Sequence, residues 1–213
     1  MEGLYVQYGC GLSAPKEWIN FDVSPTLRLQ QLPLIGALLR SQLNTVFPQH
    51  VQYGNIVNGL PNISPNSCDG VYCSHVLEHL SYEDFYKAIE NSYSILKPGG
   101  RFRLVLPDLA LIVDQYQMKL KNGDPKASVH FMNATILGVK KNPKGLKAIT
   151  EGIWGNAMHR WMWDPISMEY SLKEAGFSSV RRAEFNDSDD PMFKLVEESD
   201  RFKGAMAFEA VKS

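Results

Sequence analysis

No stretch of this 213-residue sequence is apolar for long enough to cross a membrane as a helix. The strongest run, residues 32–39, contains Pro33 and Gly36 and falls far short of the roughly 20 residues such a helix needs. Cysteine is also scarce. Cys10, Cys68 and Cys73 are an odd number in apolar or tight-turn settings, which argues against a disulfide framework and for free thiols in a reducing compartment. An excess of either charge is missing too: 22 Lys and Arg stand against 23 Asp and Glu, a formal net charge of −1. No global field therefore draws the chain to nucleic acid or to an anionic membrane. A glycine-lysine phosphate loop is absent, and no serine or cysteine sits in a nucleophile elbow with a placed base, so nucleotide triphosphatase and hydrolase readings lack support. Met1 runs almost directly into the β-prone Leu4-Tyr5-Val6, leaving no room for a basic and apolar export signal. The expectation is a cytoplasmic protein without a membrane span.

What is present is the ordinary composition of a globular chain, 44% hydrophobic and 21% charged, long enough for the core of one α/β domain spanning residues 1–213. Short β-prone runs at residues 4–8 and 18–23 frame the turn Gly9-Cys10-Gly11. Apolar residues recur at helical spacing between Pro33 and Phe47, and residues 51–56 look extended. A buried strand is expected at residues 68–74. A helix capped at Ser81, with Phe85, Ile89, Tyr93 and Leu96 on one face, should stop at Pro98-Gly99-Gly100, and a strand should cover residues 101–106. A helix-like stretch follows to about Lys121. Asp164 with Pro165 starts a helix ending at Gly176, and strands are expected at 179–185 and 205–211. This alternation predicts a Rossmann-like, doubly wound, mostly parallel seven-stranded sheet with its last strand antiparallel and an insertion at about residues 109–163.

A glycine turn between strand and helix lets backbone approach a ligand closely, and an acid ending the next strand can accept both hydroxyls of a ribose. Gly9, Gly11 and Asp22 supply those parts; a plain turn and a strand-end carboxylate are the bland alternative. Gly9-Cys10-Gly11-Leu12-Ser13-Ala14 also fits the dinucleotide fingerprint. That fingerprint rests pyrophosphate on a helix N-terminus and places its acid about 20 residues on. Here only ten residues, 12–21, separate Gly11 from Asp22, and one of them is Pro15. A phosphate-free ligand that still has a ribose fits better.

In order and spacing, four segments resemble the successive signatures of class I S-adenosylmethionine-dependent methyltransferases, most of all the methyltransferase type 11 group. They are Leu4-Tyr5-Val6-Gln7-Tyr8-Gly9-Cys10-Gly11, Trp18-Ile19-Asn20-Phe21-Asp22, Cys68-Asp69-Gly70-Val71-Tyr72-Cys73-Ser74-His75-Val76-Leu77-Glu78-His79-Leu80, and Lys97-Pro98-Gly99-Gly100-Arg101-Phe102. The likeness covers residues 4–108 and continues weakly through Ala175-Gly176-Phe177. It implies S-adenosylmethionine as cofactor. Gly9, Cys10 and Gly11 would then lie beneath its methionine part, Asp22 on its ribose and Asn55 against its adenine, with Ser74 and His75 beside the transferred methyl. Gln7 stands where the family has an acid, and the family's third glycine is replaced around Leu12-Ser13.

His75-Val76-Leu77-Glu78-His79 also matches the inverted zinc-peptidase motif, which needs both histidines on one helix and a third ligand. The strand before it and the cap after it argue against that helix, so no metal is expected. The plainer reading packs Leu77 and Leu80 under the sheet and leaves Glu78 and His79 to local hydrogen bonds. Trp154, Trp161 and Trp163 with His159 and Arg160 could line an acceptor pocket or simply be core. Lysines 119, 121, 126, 140, 141, 144 and 147, and the acidic stretch 184–200, read as solvated faces rather than a nucleic-acid interface. The functional expectation is methyl transfer to a small-molecule acceptor by proximity and orientation, with His75, His159 and Asp108 as candidate bases and no catalytic residue assigned. A noncatalytic binding module of the same fold remains the alternative.

Overall fold

The computed structural model describes residues 3–32, 46–138 and 158–213. The helix expected between Pro33 and Phe47 falls largely outside them, as do Trp154 and Lys140, Lys141, Lys144 and Lys147.

Strand β1 (Tyr5–Tyr8) runs into the glycine turn and β2 (Ile19–Asp22) returns parallel beside it. Helix α1 (Pro25–Gln30) and β3 (Gln52–Tyr53) follow, then β4 (Cys68–Ser74), α2 (Tyr82–Ile95), β5 (Leu96–Pro107), α3 (Leu109–Lys121) and α4 (Ala127–Thr135). The chain closes with α5 (Pro165–Glu174), β6 (Phe177–Ala183) and β7 (Ala205–Lys212). The seven strands form one sheet in the order β3-β2-β1-β4-β5-β7-β6, parallel except for β7, which runs antiparallel to β5 and β6. The strand order reverses at β1 and β4. In an open parallel sheet that reversal leaves a crevice outside the carboxyl ends of the strands.

Local chemistry explains the helices. Ser81 Oγ accepts from Asp84 N at the start of α2, and Asp108 Oδ1 from Leu111 N at the start of α3. Asp164 accepts from Ile166 N and Ser167 N, with Pro165 as the first residue of α5. Each cap supplies an acceptor for amides the helix leaves open, worth about 1 kcal/mol. Phe85, Ala88, Ile89 and Ile95 of α2 and Met168 and Leu172 of α5 pack on one face of the sheet against Val71, Phe102, Leu104 and Phe208. The opposite face, with Trp18, Tyr72 and Val105, is covered by Phe193 and Val196 from the connection between β6 and β7.

Three strands depart from expectation by two residues or more. Residues 51–56 supply only a two-residue strand, because the Asn55 side chain caps a 3-10 turn at Ile56–Asn58 directly after it. β5 starts at Leu96, directly after α2, with a register shift opposite Cys68 and Gly70 that absorbs Pro98-Gly99-Gly100. β6 begins and ends two residues early because Phe177 enters the core as soon as α5 ends, stacking on Phe102 at 5.8 Å.

The acidic stretch 184–200 is solvated only in part: Glu184, Asp187, Asp189, Glu198 and Asp200 are exposed, whereas Glu197 is buried. Arg103 points from β5 into this side of the sheet and is 1% exposed. It donates to Glu197 Oε1 (2.7 Å), Glu209 Oε2 (3.0 Å), Asp187 Oδ1 (3.0 Å) and Glu184 O (3.1 Å). Glu209 also accepts from Arg101 (3.0 Å), Arg181 (2.9 Å) and Ser188 (2.6 Å). A buried guanidinium must be paired on every side, and the acidic connection folds inward to do it. Burial pushes the Glu197 carboxyl above its ordinary range. At Asp187 burial pushes the same way but is outweighed by hydrogen bonds from Arg181, Glu184 and Arg103, which hold it down at about 2.

All three cysteines are buried free thiols, and burial pushes Cys10 up to about 12. Among the described residues no helix is long and apolar enough to cross a membrane.

Candidate functional site

The turn after β1 is built on backbone that favours glycine. Gly9 has φ +66° and Gly11 φ +56°, both in the left-handed region. A side chain at Gly9 would also collide, since its Cβ would lie 2.2 Å from Val76 Cγ2, whereas at Gly11 nothing lies within 4 Å. Gly9→Ala is therefore expected to cost about 1–3 kcal/mol in urea unfolding, combining left-handed strain with overpacking. Gly11→Ala should lose only the backbone part, and equal losses in the two variants would contradict this account.

Asp22, at the end of β2, is held facing that turn. Its Oδ2 accepts from Gly11 N (2.9 Å) and its Oδ1 from Ser24 N (2.7 Å). A carboxylate has about four lone-pair sites, so roughly two remain for a ligand. The cleft beside it encloses about 170 Å³ and is lined by Gly9, Asp22, Asn55, His75 and His79, among others. The Asn55 carbonyl oxygen is engaged by Val57 N (3.0 Å). A narrower cleft shares Tyr8 and Gly9 with the first and adds Gln7, Cys10, Tyr72, Ser74 and Arg201. The Gln7 amide donates to Ser13 O (2.5 Å), while Gln7 Oε1, Ser74 Oγ and Tyr72 OH are buried without a partner among the described residues. Unpaired acceptors and hydroxyls next to an arginine suit the charged end of an amino acid, the chemistry a methionine moiety would bring.

His75 follows β4 with φ +54°, a strained conformation for a non-glycine residue. Its Nε2 lies 2.9 Å from Arg201 O and its Nδ1 3.2 Å from Glu78 Oε1. Burial lowers the pKa of this imidazole, but the Glu78 and Arg201 contacts outweigh it and raise it overall. Residues 77–79 form a single 3-10 turn, so His75 and His79 do not share a helix and the zinc-peptidase arrangement is not formed. Leu77 is core as expected. Glu78 has a close local contact only with His75, 3.2 Å away, and His79 Nδ1 reaches instead to Met158 O (3.1 Å).

His159 comes to the same place from 80 residues away, because Arg160 N (2.7 Å) and Trp161 N (3.2 Å) both donate to Glu78 O. Burial pushes the His159 imidazole below its ordinary range. Trp163 anchors the segment, stacking on Phe85 at 3.9 Å, so it is core and not pocket wall; Trp161 packs on Tyr82 at 4.9 Å. A second cleft of about 340 Å³ is lined by His75, Leu111, Ile112, Gln115, Ile136 and His159. His75 thus lines both this cleft and the one beside Asp22. Asp108 is committed to capping α3 and lies 3.7 Å from Arg182.

Of the sequence-derived site residues, Gly9, Asp22, Asn55 and His75 line the first cleft, and Cys10 and Ser74 the narrow one. Gly11 lines neither and acts on Asp22 through its amide. Gly54, Ile56, Val76 and His79 line the first cleft without having been anticipated. Gly54 was detectable only as the residue before Asn55.

The methyltransferase domain family matches residues 7–104, the span from β1 through most of β5. No curated protein sequence matches the chain. Among solved structures, an S-adenosylmethionine-dependent methyltransferase from Thermotoga maritima, described as a possible histamine N-methyltransferase, aligns over 100% of this chain and 84% of its own at 15% identity and TM-score 0.53. A methyltransferase from Archaeoglobus fulgidus aligns over 99% and 86% at 16% identity and TM-score 0.51. Magnesium protoporphyrin IX methyltransferase from Synechocystis, solved with bound S-adenosylhomocysteine, aligns over 99% and 74% at 15% identity and TM-score 0.50. The glycine turn, the strand order and the match over residues 7–104 agree: that segment is similar to the methyltransferase domain family, and the fold is the Rossmann-like α/β fold of these solved methyltransferases.

Proposed function

We propose that this chain transfers the methyl group of S-adenosylmethionine to a small-molecule acceptor. The observation that carries this reading is the pairing of a pinned Asp22 carboxylate with the Gly9 floor at the switch point of the sheet, beside the unpaired Gln7, Tyr72 and Ser74 atoms. Asp22 accepts from the ribose hydroxyls, and Asn55 faces the adenine. Gly9, Cys10 and Gly11 give the backbone its close approach to the methionine part. Gln7, Ser74 and Arg201 hold the amino-acid end, which accounts for a glutamine where the family has an acid. Bound S-adenosylmethionine supplies an electrophilic methyl on a sulfonium.

The protein's own contribution is position. His75 lies at the junction of the two clefts, so an acceptor held between α3, α4 and His159 sits next to the cofactor cleft. Holding the two reactants at near-attack distance is a large part of the rate such an enzyme can gain. Residues 109–163 act as the acceptor-site insertion of a single domain spanning 1–213.

The test is to incubate the full chain with methyl-labelled S-adenosylmethionine and fractions of a metabolite pool. Label is expected in a small-molecule fraction, and its appearance should depend on Asp22. Label in no fraction, from protein that binds S-adenosylhomocysteine, would instead make the chain a noncatalytic binding module.

A further inference from the structure

We propose that Glu78, His79 and His159 form a binding site for one divalent transition-metal ion, of the zinc or iron(II) kind, in the wall between the two clefts. The three side chains offer ligand atoms that all lie within 4.8 Å of one another. Glu78 Oε1 is 4.0 Å from His79 Nε2 and 3.9 Å from His159 Nε2. Ligands bound at the usual metal distances sit about 3.3 Å apart along a tetrahedral edge, so small side-chain rotations bring this set to coordination distance. Two imidazoles and one carboxylate, with further positions open, is a donor set that first-row ions of this kind accept.

The state of Glu78 calls for a cation. It is 1% exposed, and neither carboxylate oxygen has a hydrogen-bond partner among the described residues. A buried carboxylate left without pairing costs several kcal/mol. His75 Nδ1, 3.2 Å from Glu78 Oε1, pairs with it only when that imidazole is protonated, and His79 turns no donor to it. A carbonyl can only accept, so the contact with Met158 O places the His79 proton on Nδ1 and leaves the Nε2 lone pair facing Glu78. His159 Nδ1 is also buried without a partner. The His79 Nε2 lone pair faces the Glu78 carboxylate at 4.0 Å, and a cation between them satisfies both.

The surroundings are those of a held site. Histidines that ligate a metal commonly donate their other N–H to a backbone carbonyl, as His79 does here. The two amides donated to Glu78 O and the stacking of Trp163 on Phe85 fix the His159 segment against the turn. Glu78 acts in this site as a ligand, unlike the glutamate of the peptidase motif, which activates water. The use of the ion to orient an acceptor oxygen next to the cofactor cleft rests on the methyl-transfer reading, whereas the existence of the site does not.

The test uses the full chain without a histidine tag, stripped with chelator, titrated with Co²⁺ and then displaced with Zn²⁺. Visible absorption reports coordination, and elemental analysis reports stoichiometry. One ion per chain is expected. Glu78→Gln and His159→Ala should each weaken Co²⁺ binding by more than the roughly 10–100-fold that loss of an outer-shell partner costs. If Glu78→Gln fails to fold, His159→Ala decides alone. Folded wild-type protein that takes up neither ion at micromolar concentration overturns the proposal, as does uptake that both variants retain. S-adenosylhomocysteine binding is measured on the same samples: binding without metal uptake removes this inference only, and metal uptake without binding removes the methyl-transfer reading only.

Discussion

Arg103→Ala is expected to lower the free energy of unfolding by about 3–5 kcal/mol, the range for removing one partner from a buried ion cluster. For a chain of this length about 2–4 °C accompany each kcal/mol, so the melting temperature should drop by roughly 6–20 °C. The loss arises from what is left behind. Glu197 and Glu209, both buried, would face each other across the space of the missing guanidinium. Replacing Arg103 with methionine together with Glu197→Leu and Glu209→Leu should recover part of that loss, since apolar groups of similar volume avoid the desolvation that the charges require. Calorimetry of the single and combined variants checks this, and a single variant as stable as wild type would contradict it.

The same cluster shapes the acid limb of stability. Asp187 titrates at about 2 in the folded chain, against about 3.9 unfolded. A lowered folded value stabilises above the unfolded one, and that contribution is lost as pH falls from about 4 toward 2. Glu209 is lowered too, by Ser188 and the arginines against the pull of burial, and acts in the same direction. Glu197, raised by burial, works the other way. Urea unfolding should therefore show stability falling steeply below about pH 4, and the fall should be shallower in Arg103→Ala.

Asp22→Ala is expected to weaken S-adenosylhomocysteine binding by about a hundredfold or more. Two hydrogen bonds from ribose hydroxyls to a carboxylate contribute about 1.5–3 kcal/mol each, and 1.4 kcal/mol is tenfold in affinity. The carboxylate also holds Gly11 N and Ser24 N, so the variant loses some loop order and must be titrated well below its melting temperature. Asp22→Asn, which retains one carbonyl acceptor, should fall between the two. Asp22→Ala binding as tightly as wild type would separate this residue from the ligand.

What the sequence revealed was local. Ser81, Asp108 and Asp164 each cap the helix that follows, and a cap signal lies within three residues of what it caps. The buried strand at Cys68–Ser74 and the spacing from Gly9 to Asp22 are likewise contained in short segments. What stayed hidden depends on partners far along the chain. The need for glycine at position 9 was visible, but its collision partner is Val76. That Glu197 and Asp187 leave the otherwise solvated acidic stretch to pair inward was hidden because Arg103, which draws them in, lies some 80–90 residues earlier. His159 appeared as one histidine among tryptophans, and only the amides of Arg160 and Trp161 on Glu78 O bring it to the turn that holds His75 and His79.

The most direct measurement is a calorimetric titration of the folded full chain with S-adenosylhomocysteine, with NAD in parallel, repeated on Asp22→Ala. The account predicts one site for S-adenosylhomocysteine, no heat from NAD, and loss of the site in the variant. No binding of S-adenosylhomocysteine at millimolar concentration, or binding that Asp22→Ala leaves intact, would contradict it.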